Sequence, residues 1–132
     1  MRFVTPGTLP GAVHDRLEDI FRQVSDRVET GVETGEKLVK EYISTRGTAK
    51  SGKAGRIESG AMLRSVRSQM LAKGSLMSWG RFGLGAGPDY SIYQELGFKH
   101  NRSGAHVEGM FAVVDAREAV YQYLIASIRT VR

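Results

Sequence analysis

Three stretches of the 132-residue chain hold residue types that could do chemistry. Residues 47–54 read Gly-Thr-Ala-Lys-Ser-Gly-Lys-Ala, which follows the phosphate-cradling pattern G-x-x-x-x-G-K as far as the lysine. In that motif backbone N–H groups wrap the phosphates and a following Ser or Thr hydroxyl holds magnesium. Here Ala54 stands at the hydroxyl position, and the preceding pattern is helical where the motif needs a buried strand. Residues 83–87, Gly-Leu-Gly-Ala-Gly, begin like a dinucleotide fingerprint, but Pro88 occupies the third glycine position and no long helix leads on to a second parallel strand. His100, His106 and Glu108 form the third group, with the histidines six apart in a polar stretch, a spacing that fits no common metal ligand set. No nucleophile and base, and no paired carboxylates, stand on a motif. The sequence therefore predicts no catalytic residue, no cofactor, no metal and no enzyme.

Charge says more. The formal net charge is +5, and residues 46–81 carry eight basic side chains against Glu58 alone, while residues 1–45 and 82–132 are near balance. Such a patch attracts phosphate or an acidic protein surface, with a strength that salt screens. A basic run also serves simply as a solvated surface. There is no cysteine, so disulfides and thiolate metal sites are excluded, which suits assembly in a reducing cytoplasm. No run approaches the length of a membrane span, and the first residues are too short and polar for a secretory signal, so no membrane contact is expected.

The elements that must position these groups follow from periodicity. Residues 1–10, with two prolines and two glycines, read as an arm, and residues 11–132 as a single domain. From 11 to 43 apolar residues recur at three- and four-residue steps (Val13, Leu17, Ile20, Phe21, Val24, Val28, Val32, Val39, Tyr42, Ile43), which predicts one long helix. Asp15, Glu18 and Asp19 near its start and Lys37 and Lys40 near its end suit the helix dipole. Gly31 and Gly35 make a kink or fold-back possible there. Where so long a helix outruns its own domain, its stripe must meet another surface, most simply a second copy. Residues 44–56, with Arg46, Lys50, Lys53 and Arg56, read as an exposed basic loop.

Ser59 is a good N-cap for a short helix to about Ser65, with Met62, Leu63 and Val66 turned inward and Arg64 and Arg67 outward. Residues 66–73 and 76–85 then alternate as two strands of a hairpin turning at Gly74-Ser75, with Val66, Ser68, Met70 and Ala72 on one face and Arg67, Gln69, Leu71 and Lys73 on the other. Trp79 is placed in the core by default, with a sheet-edge or subunit contact as the alternative. Asp89 can cap a helix from Tyr90 to Leu96 that Gly97 ends, its Ile92, Tyr93 and Leu96 facing the sheet or a neighbour and its Glu95 pairing with Arg64 or Arg67 of this copy or the next. Residues 98–108 read as a polar loop with solvated histidines, Met110 and Phe111 as an extended lead-in, and residues 113–130 as a helix burying Val113, Ala116, Val120, Leu124, Ile125 and Ile128. The fold class is α+β: a long N-terminal helix, a small antiparallel sheet built on a hairpin, short helices, and a C-terminal helix packed on it.

The order of parts resembles a family. Ser59, Gly60, Leu63, Arg64, Ser65 and Val66, with one extra residue before the leucine, match a phrase Ser/Thr-Gly-x-Leu-Arg-x-Ser-Ile, and Tyr90, Tyr93, Glu95 and Gly97 match Tyr-x-x-Tyr-x-Glu-x-Gly. These phrases, flanking a hairpin between two helices, are similar to the gene-product-ten-like head-to-tail joining and tail-completion proteins of long-tailed bacteriophages. Gly109-Met110-Phe111 replaces a proline-phenylalanine phrase of those proteins. The resemblance implies a structural virion protein of the neck, assembled in the host cytoplasm. It would form a homo-oligomeric ring between portal or connector and tail, touching other neck, connector and tail proteins and the packaged DNA. Arg46, Lys50, Lys53, Arg56, Arg64, Arg67, Trp79, Tyr93 and Glu95 are the expected contact residues. A reading from a different class is a small basic nucleic-acid-binding protein that uses the same charged segment with Trp79 and Phe82 as stacking surfaces.

Overall fold

A computed structural model describes residues 11–46, 60–74, 77–85, 91–99, 103–104 and 106–132, without the side chains of residues 91, 92 and 98. Residues 1–10, Lys50, Lys53, Arg56, Ser59, Pro88, Asp89, Tyr90 and His100, for which the sequence carries expectations, lie outside the described residues.

The predicted long helix is a single rod, α1 (Gly11–Thr45), 35 residues long and so about 52 Å from end to end. It runs through both glycines without a break, which rules out the fold-back. Gly31 and Gly35 are buried and serve as notches. A Cβ at Gly31 would lie 3.2 Å from Leu124, and one at Gly35 only 2.6 Å from the ring of Phe82. The penalty of glycine in a helix, roughly 1 kcal/mol against alanine, is accepted where a neighbouring element must come that close. The dipole expectation is corrected in detail: neither the first turn holds an acid nor the last a base, because Asp15 and Lys40 sit about a turn inside the ends.

The C-terminal helix, α4 (Ala112–Ile128), packs along α1, and its first turn, with Ala112, Val113 and Ala116, shares a core with Val66, Phe82 and Leu84 of the hairpin. The two helices run antiparallel, as two distant ties show. Gln23 Nε2 donates to the Arg132 carbonyl (2.8 Å) at one end, and Arg46 meets Asp115 (2.5 Å) at the other. Only α1 residues from about 23 onward are thus flanked by α4, and the first dozen run on past its end.

Between the helices in sequence come α2 (Ala61–Arg64), the antiparallel pair β1 (Val66–Lys73) and β2 (Ser78–Leu84), α3 (Ser91–Leu96), and a second small antiparallel pair, β3 (Gly97–Lys99) and β4 (His106–Glu108). The last pair lies where the sequence predicted only a loop, its three-residue strands being too short to show periodicity. Alternation along β1 is as predicted, with Val66 fully buried and Arg67 and Gln69 exposed. An irregularity between Met70 and Ala72 then shifts the register, so that Ala72 faces Trp79 and Lys73 faces Ser78. A bulge of this kind re-aims the side chains beyond it. Ser78 Oγ bonds Ser25 Oγ, and Lys73 Nζ reaches Glu29 (2.5 Å). Both therefore turn to α1, which corrects the placing of Lys73 on the outer face.

The core sits at the C-terminal half of α1: Val39, Ile43, Met62, Val66, Met110, Ala112 and Ala116, with Leu38, Tyr42, Leu63, Phe82, Leu84 and Val113 packed on them. Ile128, predicted to be buried, is exposed, and so is Trp79, whose default place is the core. Val13 and Leu17 on the overhanging stripe of α1, and Tyr93 and Leu96, expected to face the sheet or a neighbour, are exposed as well. Phe111 is left-handed (φ 51°), not extended, and forms the N-cap position of α4.

Candidate functional site

The side chains offered for contact gather on the outer face of the β1–β2 pair and beside it. Strand alternation in β2 turns Trp79 outward, where it is 51% exposed, with Met77 (61%) and Leu71 (37%) also exposed in the hairpin. Arg81 stands across from Gln69 in the ladder and donates to its side-chain carbonyl (2.9 Å), which holds the guanidinium on the same face. Arg67, at the start of β1, donates to the carbonyls of Val66 (2.8 Å) and Arg64. Among the described residues neither Arg67 nor Arg81 makes an ion pair. Two open grooves of about 590 Å³ meet at Arg67, one running over Gln69, Arg81 and Phe82, the other over Lys40, Leu63 and Arg64.

Other charged groups are committed to the fold. Lys40 and Ser68 both bond Glu36, and the Lys40 bond first and the Ser68 bond second hold its carboxyl below the ordinary range. The Glu29 bond raises Lys73 above the ordinary lysine value, and the Arg22 and Gln23 bonds lower Asp19.

Two expected contact residues turn out to be braces. Arg46, just beyond α1, donates to the Met110 carbonyl (2.8 Å), meets Asp115, and lies over the Tyr42 ring at 4.0 Å. Glu95 does not pair with Arg64 or Arg67. It is buried, and its two carboxylate oxygens accept from the backbone N–H groups of Ala112 (3.0 Å), Val113 (2.7 Å) and Val114 (3.2 Å). These are the first N–H groups of α4, which have no partner inside the helix and form its positive end. Backbone bonds from Met110 to the Gln94 carbonyl (2.9 Å) and from Phe111 to the Glu95 carbonyl (3.1 Å) hold the carboxylate there. The approach requires glycine at 109, where a Cβ would lie 2.4 Å from the Glu95 carbonyl oxygen. Tyr93, two residues earlier on the short α3, points away and is 58% exposed.

A group the sequence reading passed over is His14, Asp15 and Glu18, whose ligand-type atoms lie within 4.8 Å of one another. All three are exposed on one helix, and spacing i, i+1, i+4 was the available signal. His106 is exposed and lies with Glu108 on β4. No helix among the described residues is long and apolar enough to cross a membrane. No protein-family model, curated protein or solved structure matches this chain.

Proposed function

We propose that the chain is a structural protein of a bacteriophage neck, forming an oligomeric ring that joins the DNA-filled head to the tail. The observation that carries the reading is the overhang of α1. Residues 11–18 are all exposed and still carry the apolar stripe, with Val13 at 44% and Leu17 at 40%. A rod that outruns its partner helix and keeps its stripe offers that stripe to another protein. The outer face of the β1–β2 pair, with Trp79, Met77 and Leu71, is a second apolar surface on the same chain. Two different surfaces on one chain are what a head-to-tail ring contact needs, since each copy must present one and receive the other. The protein then works by geometry: apolar burial supplies the energy, and the basic residues of 46–81 set register or face the DNA path.

Its test is a stop codon early in this gene in its parent phage, followed by electron microscopy of lysates. Filled heads and finished tails lying apart are expected, and intact particles refute the reading. The nucleic-acid alternative draws on one observation, Trp79 and Arg81 exposed on the same sheet face. It requires DNA binding that weakens steeply with salt and is lost in Trp79→Ala.

A further inference from the structure

Helix α4 is apolar on two sides. Ala112, Ala116, Val120 and Ser127 are buried, with Val120 and Leu124 against Gly31 of α1. At 3.6 residues per turn, the opposite side carries Val114, Glu118, Tyr121, Ile125 and Ile128, with Phe111 at the left-handed N-cap position just before them. Four of these are large apolar side chains left open: Phe111 43%, Val114 44%, Tyr121 59% and Ile128 42%. Their steps are three, four, three, four and three, the spacing of a seam that receives a second helix knobs-into-holes. Glu118 is the one charge in the seam, and Gln122 donates to one of its oxygens (3.1 Å), leaving the other able to accept.

We propose that this stripe pairs with the same stripe of a second copy, the two α4 helices antiparallel. A parallel pairing would set Glu118 against Glu118 and Arg129 against Arg129, like charges face to face. The antiparallel register that overlaps the whole seam stacks Phe111 on Ile128 of the second copy, Val114 on its Ile125, and Glu118 on its Tyr121. The phenol hydroxyl then donates to the carboxylate, twice by symmetry. Helix dipoles oppose as well.

The seam is about 25 Å long and covers less than the roughly 800 Å² per partner of a standard interface, so the pair is weak and concentration-dependent. A two-fold contact closes at two copies. It is therefore distinct from a ring contact and does not depend on the neck reading.

The chain has no cysteine, so single thiols report geometry cleanly. Val114→Cys and Ile125→Cys are prepared separately and treated with a short bismaleimide, alone and mixed. The mixture is expected to cross-link about tenfold more than either variant alone, and adding Tyr121→Glu to both is expected to abolish this. Tyr121 is exposed, so that substitution leaves the helical circular dichroism unchanged. Self-cross-linking of Val114→Cys equal to that of the mixture, no cross-linking at millimolar protein, or cross-linking indifferent to Tyr121→Glu would each overturn the proposal. The phage lysate experiment can fail without affecting this result, and the reverse holds too.

Discussion

Replacing Glu95 by alanine tests whether the α3–α4 junction is held by a carboxylate on a helix end. In the native protein the side chain accepts three backbone N–H groups at 2.7–3.2 Å while 6% exposed. A hydrogen bond to a charged group contributes about 1.5–3 kcal/mol net, and loss of an ordinary N-cap costs about 0.5–2 kcal/mol. The three bonds share two oxygens and one helix end and do not add fully, so the whole loss is about 2–4 kcal/mol. With a urea slope of about 1–3 kcal/mol per molar, the unfolding midpoint should fall by roughly 1–2 M. Glu95→Gln keeps one carbonyl acceptor but presents an NH₂ group to one N–H and removes the charge from the dipole, so about half the loss is expected. The assay is urea unfolding followed by circular dichroism, with hydrogen exchange at the amides of residues 112–114. Exposed Glu33→Ala serves as the reference. If Glu95→Ala shifts the midpoint no further than Glu33→Ala, or leaves exchange at those three amides unchanged, the capping argument is wrong.

Gly35→Ala should destabilise despite alanine's better helix propensity. The new Cβ would lie 2.6 Å from the Phe82 ring, and overpacking of that kind costs about 1–3 kcal/mol. A raised melting temperature would contradict the notch reading, and Gly35→Ala with Phe82→Leu should recover most of the loss. Arg46→Met removes the Asp115 pair and the carbonyl bonds to Met110 and Phe111 while keeping the aliphatic bulk, so stability should fall by about 1–2 kcal/mol. An unchanged denaturation midpoint would return Arg46 to the pool of free contact residues. Acid should loosen the join between α1 and β1. The Glu36 carboxyl is held below its ordinary value by Lys40 and Ser68, so its contribution is full above that ordinary value and is lost as pH falls through the lowered one. Glu36→Gln should therefore flatten the acid limb of a stability-against-pH profile below about pH 5, and an acid limb identical to that of the native chain counts against the assignment.

The sequence by itself determined the types of the longer elements. Apolar steps of three and four fixed α1 almost to the residue, alternation fixed β1, and Gly97, at φ 87°, ends α3 where predicted. These patterns are local, because each residue's direction follows from its own helix or strand period. Which side of an element is covered is a different matter, since it depends on where a distant element ends. Val13 and Leu17 continue the stripe of α1 but lie outside because α4 stops short of them. Ile128 continues the apolar pattern of α4 but belongs to its outer seam.

The candidate site divides along the same line. Arg64 and Arg67 point outward as the short helix and strand require. Residue type places Trp79 in the core, whereas the alternation of β2 puts it with Arg81 on the exposed face of a two-stranded layer. No local signal could place Glu95 on the end of a helix that begins 17 residues later, and that carboxylate found its partners in unsatisfied backbone N–H groups instead of in an arginine. Gly31 and Gly35 carry the same lesson. Helix propensity alone counts them as weak points, whereas the approach of Leu124 and Phe82 makes glycine the residue that lets the second helix and the sheet seat on the first.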